Sequence, residues 1–195
     1  MVSHDSGIPG FSPGQLSVKT APMIPDLPAP DLAKALLGAT LTIRGSGGII
    51  IETEAYQRDD PASHSFPGPT ARNAAMFGPP GHAYIYRIYG IHLCLNVVGR
   101  VGEAVLIRAL TPTHGIADMA ARRPRQPDFN LCSGPGKLAQ ALGLTMADNH
   151  MRLDLTLDPQ TDILTGPRIG ITKAIDQPWR FGLNRPGLSR AFPRS

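Results

Sequence analysis

Three stretches of this chain gather the residue types that do acid–base and stacking chemistry. Ile51-Glu52-Thr53-Glu54-Ala55-Tyr56 carries two carboxylates and a tyrosine, Ala62-Ser63-His64-Ser65 adds an imidazole, and Tyr84-Ile85-Tyr86-Arg87-Ile88-Tyr89-Gly90 holds the other three tyrosines of the sequence. Alternate side chains of a strand share a face, so Glu52, Glu54 and Tyr56 point the same way. A carboxylate beside an aromatic ring suits a site that stacks a flat group and activates a water. An isolated Glu-x-Glu-x-Tyr also fits an edge strand with a solvated acidic face.

Arg108 narrows the choice. It lies within Ala104-Val105-Leu106-Ile107-Arg108-Ala109-Leu110, apolar on both faces, where an uncompensated guanidinium is prohibitively costly. It therefore needs a carboxylate or a wet pocket, and Glu54, in another apolar strand, is the natural partner. The pair reads as a structural ion pair or as a device that keeps a carboxylate ionised and a water oriented. Asn96, in Leu93-Cys94-Leu95-Asn96-Val97-Val98, either satisfies a local backbone group or projects into a pocket to discriminate ligands. Tyr89 beside Gly90 puts a large ring at a tight turn, either folded back on its hairpin or exposed as a wedge that enters a base step.

The elements that must position these groups follow from punctuation and patterning. The chain has 195 residues, 42% of them hydrophobic and 17% charged, which fits one domain with a sizeable core. Its 20 prolines and 21 glycines call for turns and irregular strands rather than a helical bundle. Cys94 and Cys132 form no Cys-x-x-Cys pair and read as buried thiols of a reducing compartment. No apolar run approaches the ~20 residues of a membrane span, and the expected location is cytoplasmic. A net charge of +4 suits a polyanionic partner, though only weakly.

Residues 1–30 read as an N-terminal arm, mobile or wrapped around the domain, and 31–195 as the domain itself. Asp31 is the expected N-cap of a helix that Gly38 stops. Strands are expected at 39–44 and 49–56 across a Gly45–Gly48 hairpin, at 82–88 and 92–98 across Tyr89-Gly90-Ile91, and at 103–110. The loop from Asp59 to Gly81 carries His64, Arg72 and Asn73. A helix over 117–123 ends in the basic cluster Arg122, Arg123 and Arg125, either a solvated face or a phosphate contact. Ser133-Gly134-Pro135-Gly136-Lys137 opens another, whose N-terminus and Lys137 can hold a phosphate or be ordinary capping.

Taken together, these motifs resemble the alkyladenine, or 3-methyladenine, DNA glycosylases of the mammalian type and their bacterial relatives. The resemblance runs from Asp31–Gly38 through Ile51–Tyr56, Ala62–Ser65, Arg72-Asn73, Tyr84–Asn96, Leu106–Leu110, Leu131–Leu138 and Pro167–Ile171 to Pro178–Phe181. It implies an α+β fold: a single domain with a curved antiparallel sheet, a protruding β-hairpin and flanking helices. It further implies a monomer without metal or cofactor that acts on double-stranded DNA containing damaged purines. On the matching positions, Glu54 resembles the general base, and Arg108 and the main-chain carbonyl around Ile169 resemble the groups that help hold its water. Tyr56, His64 and Tyr86 resemble the walls of the base pocket, Asn96 the amide that excludes guanine, and Tyr89 the intercalating residue. Arg72 and Lys137 are expected at the DNA backbone. The sequence departs from the mammalian pattern at His92, at Arg87 and in a shorter connection after Leu110.

The implied reaction is hydrolysis of the N-glycosidic bond of extruded 3-methyladenine, 7-methylguanine, hypoxanthine and ethenoadenine, that of a DNA-3-methyladenine glycosylase. No lysine occupies a matched pocket position, so no Schiff-base lyase step is expected. Two rivals are a non-catalytic module that binds damaged DNA, and a hydrolase of another class that uses Glu52 and Glu54 as paired carboxylates.

Overall fold

The computed structural model describes residues 24–193. Most of the expected N-terminal arm therefore lies outside the described residues. Of its last part, 24–30, Ile24 and Leu27 pack on the core and Ala29 is already helical.

Eight strands among the described residues form one antiparallel sheet in the order β3-β4-β5-β2-β1-β6, with β8 pairing both β2 and β7. They are β1 Thr40–Ile43, β2 Ser46–Tyr56, β3 Ala83–Ile88, β4 His92–Val98, β5 Ala104–His114, β6 Asp154–Thr156, β7 Ile163–Gly166 and β8 Arg180–Leu183. Helices α1 Ala29–Ala35, α2 Ile116–Arg122 and α3 Pro135–Ala141 flank it. The result is the expected α+β class with a curved antiparallel sheet. β2 is the hub. It pairs with β5 along its whole length, while β1 takes the first half of its other edge and β8 the second. The pairing of β2 with β5 slips on both sides of Glu52, where the facing strand carries Arg108.

The first turn differs from its expected place. Arg44 and Gly45 have φ of 49° and 79°, so a two-residue turn joins β1 to β2, and Ser46, Gly47 and Gly48 belong to the strand. Gly47 and Gly48 serve close approach instead. A Cβ on either would lie 2.0 Å from a carbonyl oxygen, of Leu41 and Thr111 respectively. β5 also outruns the expected 103–110 and continues through Pro112. A proline is tolerated because β4 covers that edge of β5 only at Ala104–Leu106 and the bridge to Cys132 and Ser133 ends at Leu110, short of Pro112. Pro28, not Asp31, caps α1, and Asp31 sits in its first turn.

The second hairpin turns where expected. β4 meets β5 only through Asn96–Val98, so the remainder of β3–β4 pairs with itself and projects from the sheet. Its backing is a small cluster of Ala75, Met76, Tyr84, Val98 and Ala104, separate from the main core, with Phe77 and Tyr86 packed against it. No helix among the described residues is long and apolar enough to cross a membrane.

Candidate active site

Glu52 and Glu54 are both 0% exposed and both meet Arg108, yet their surroundings differ. Glu52 Oε1 accepts from Arg108 Nε at 2.9 Å, Arg180 Nε at 2.8 Å and Ser189 Oγ at 2.6 Å, and its Oε2 accepts from the Ser189 main-chain N–H at 2.6 Å. Glu52 thus takes four donors, three of them crowded on Oε1 and one on Oε2. Glu54 Oε1 accepts from the Ile169 N–H at 2.7 Å and faces Arg108 Nη1 at 3.1 Å, while Oε2 accepts from Tyr56 Oη at 2.9 Å. One site of about four is left to accept from a water. Arg108 thus serves both carboxylates rather than Glu54 alone. Ile169 contributes its N–H to Glu54, a contact distinct from the carbonyl the resemblance pointed to.

Burial pushes the Glu54 carboxyl above its ordinary 4.5, and Arg108, the Ile169 N–H and the Tyr56 hydroxyl only partly oppose the shift. Burial, and then the neighbouring Glu54 charge, push Tyr56 far above its ordinary 10, so it remains a hydroxyl donor. Burial of Arg108 opposes its charge, but Glu54 and Glu52 outweigh that and raise its pKa.

Next to this group opens a cavity of about 530 Å³, large enough for a nucleoside-sized ligand, lined by Tyr56, His64, Tyr84, Tyr86, Asn96, Arg108 and Ile169 among others. Glu54 itself lies behind Tyr56 and Ile169, which donate to it, and Arg108, which forms an ion pair with it. His64 and Tyr86 meet edge to face with centroids 4.5 Å apart, and Tyr84 lies 5.6 Å from Tyr86. Tyr84 escaped the sequence reading as a site residue. Its hydroxyl is 2.7 Å from His64 Nδ1, and its i, i+2 spacing from Tyr86 on one strand was the available signal. Burial, opposed by Arg72, pushes the Tyr84 hydroxyl up to about 12. His64 is pushed below 6.5 by burial and then by the charge of Arg72, so at neutral pH it is an uncharged ring. Asn96 both lines the cavity and donates through Nδ2 to the Tyr84 carbonyl at 3.0 Å.

The loop that carries His64 is held by side chains. Asn73 Nδ2 donates to the His64 and Gly68 carbonyls at 2.8 and 3.0 Å, and its Oδ1 accepts from the Thr70 N–H at 2.6 Å. Arg168, buried and also missed from sequence, pairs with Asp60 and donates to the Ala55 carbonyl at 3.0 Å. Its guanidinium lies 4.8 Å from the Tyr56 ring centroid and 5.2 Å from that of Trp179, so it fixes the ring that holds Glu54.

At the mouth, Tyr89 is 79% exposed at the hairpin tip, with φ of 51° beside Gly90 at 73°. Its ring is a free projection. Arg72, Arg87 and Lys173 are exposed and line the cavity, so a lysine stands there although none occupies a matched pocket position. Lys137 does not line it, and its Nζ donates to Asn130 Oδ1 and Ser133 Oγ, both at 3.1 Å. His92 packs against the start of α3, where a Cβ on Gly136 would approach its ring to 3.2 Å. In the basic cluster, Arg122 donates to the Ala141 carbonyl at 2.9 Å and the buried Arg123 to the Asn130 carbonyl at 2.8 Å, which ties α2 to its neighbours. Among the described residues no three His, Cys, Asp or Glu side chains gather as a metal-binding group.

Comparison with known proteins matches residues 24–186 to the family model described as methylpurine-DNA glycosylase. A relative from Rhodopseudomonas palustris is 57% identical over 176 residues, covering 84% of each chain. One from Nitrosospira multiformis is 56% identical over 172 residues, 83% of this chain and 89% of its own, and one from Rhizobium meliloti 54% over 162, 80% and 87% respectively. All three carry the provisional name 3-methyladenine DNA glycosylase.

Proposed function

Since the chain belongs to the methylpurine-DNA glycosylase family, we propose that it excises 3-methyladenine, 7-methylguanine, hypoxanthine and ethenoadenine from double-stranded DNA by hydrolysis at Glu54. Family membership carries base-excision repair of alkylated purines and binding to DNA. The observation that carries the finer reading is the contrast between the carboxylates: Tyr56, Arg108 and Ile169, which hold Glu54, all line the cavity, whereas of the residues that hold Glu52 only Arg108 does. A Glu52 held by Arg180 and Ser189, which do not line the cavity, also weighs against the paired-carboxylate hydrolase, and a carboxylate held at Arg108 against the non-catalytic module.

The glycosidic bond is inaccessible in a stacked duplex, so the nucleotide turns out into the cavity and Tyr89 takes its place. A purine alkylated at N3 or N7 is cationic, stacks on electron-rich rings and meets an uncharged His64. The bond from C1′ to the purine nitrogen breaks with its electron pair leaving on the base, and the sugar becomes oxocarbenium-like. Water adds to C1′ as Glu54 takes its proton, and the nearby carboxylate stabilises the developing positive charge. Tyr56, Arg108 and the Ile169 N–H keep that carboxylate in place. Arg72 and Lys137 fit contacts to the DNA backbone, Arg72 at the mouth and Lys137 outside it.

The test is incubation with duplexes carrying single purine lesions, followed by alkali to reveal abasic sites. Strand cleavage at the lesion supports excision. Tight lesion-specific binding without cleavage means a binding module. Lys173 puts an amine at the mouth, so borohydride is added in parallel: no trapped adduct is expected, and a trapped one contradicts the monofunctional reading.

A further inference from the structure

The segment after β8 returns to β2, and its Ser189 places both of its donors on Glu52, the hydroxyl on Oε1 and the main-chain N–H on Oε2, each at 2.6 Å. The same hydroxyl oxygen lies 3.3 Å from Arg108 Nε and 3.1 Å from Nη2. One half-buried serine therefore touches both the guanidinium that faces Glu54 and the carboxylate that anchors it. Its neighbours seat it firmly. Arg180 donates to the Arg190 and Ala191 carbonyls, and its guanidinium lies 3.9 Å from the Phe192 ring centroid. Phe192 fits where Gly182 has no side chain, since a Cβ there would come within 2.6 Å of its ring. Ser189 lies beyond residues 24–186, the part matched by the family model.

We infer that Ser189 is a positioning residue for excision, holding Glu52 and Arg108 so that Arg108 Nη1 stays against Glu54. The inference rests on the reading of Glu54 as the base. Without the hydroxyl, Glu52 Oε1 keeps only Arg108 and Arg180 as donors and draws Arg108 toward itself. The groups that face Glu54 are Glu52 and Tyr56 on β2, Arg108 on β5, Arg180 opposite it on β8, Cys94 on β4 and the Ile169 N–H after β7. Weakening Arg108 and unmasking Glu52 both disfavour ionised Glu54, so the acidic limb of the rate profile moves to higher pH.

The experiment compares full-length wild type, Ser189→Ala, Ser189→Thr and Glu54→Gln on a duplex with a single 7-methylguanine. It reads single-turnover rate against pH, duplex affinity and thermal unfolding. Ser189→Ala is expected to lose about 10- to 100-fold in rate, as removal of a group behind the reacting ones does, with affinity within about twofold and the acidic limb shifted upward. Ser189→Thr, which keeps a hydroxyl, is expected to recover most of the rate. A wild-type rate and limb in Ser189→Ala would overturn the inference, as would equal loss in Ala and Thr or a rate loss that merely follows lost affinity or unfolding. Failure of the base reading looks different: wild type excises nothing, or Glu54→Gln is as active as wild type.

Discussion

At the scale of single residues, the site turns on which groups hold each carboxylate and whether they line the cavity. Glu54 is fully buried, and its pKa lies above 4.5 because burial outweighs its donors. In its proposed role as the base it acts only when ionised. Excision of a cationic lesion should therefore fall as pH drops through this raised pKa, higher than for a solvated carboxylate, and single-turnover rates on 7-methylguanine measure it. A rate that holds flat down to about pH 4, near the ordinary carboxylate value, would contradict the assignment. Asn96 is the second residue with a testable task. Its buried amide borders the cavity, so Asn96→Ser should raise release of undamaged guanine relative to hypoxanthine, which lacks the 2-amino group. The ratio of the two rates on matched duplexes cancels any stability loss, expected at ~1–3 kcal/mol for a buried polar contact. An unchanged ratio would leave Asn96 as a structural amide. The Glu54–Arg108 pair was legible because each interrupts an apolar strand. The Glu52 network was not, since Arg180 and Ser189 lie 128 and 137 positions away.

At the scale of elements, the projecting hairpin and the loop before it do most to shape the mouth. The hairpin was legible from Tyr89-Gly90 between two apolar strands, and it turns there. Because the tip pairs with nothing beyond itself, Tyr89→Ser should remove the plug and change the cavity only at its mouth. Stacking contributes roughly 1–3 kcal/mol per base, so extrusion should become less favourable by about ten- to a hundredfold. Excision rates on paired, mismatched and single-stranded substrates read this, with the unpaired ones affected least. Equal losses on all three would make Tyr89 a packing residue. The first turn was less legible. Glycines 45, 47 and 48 all read as turn residues, but only Gly45 turns and the other two give way to neighbouring carbonyls. A sequence does not say which backbone passes close by. Nor does local pattern reveal that Asn73 spans the loop to the His64 carbonyl or that Arg168 lies over Tyr56.

At the scale of the whole molecule, β2 is the common support: it carries Glu52, Glu54 and Tyr56, and β5 and β8 bring Arg108 and Arg180 to it. Two hairpins were legible from turn residues between apolar strands, and the curved antiparallel sheet from the resemblance. The order of strands was not, because β8 reaches β2 across more than half the described chain. The central claim is that this support exists to hold Glu54 as a base, and Glu54→Gln tests it most directly. Glutamine keeps an acceptor for Arg108 and Ile169, and Glu52 still compensates Arg108, so the fold and the cavity should persist. Lesion-duplex affinity should stay near wild type while the single-turnover excision rate falls ~100–10,000-fold, the usual effect of losing a general base. A loss of less than about tenfold, with binding intact, would contradict the account.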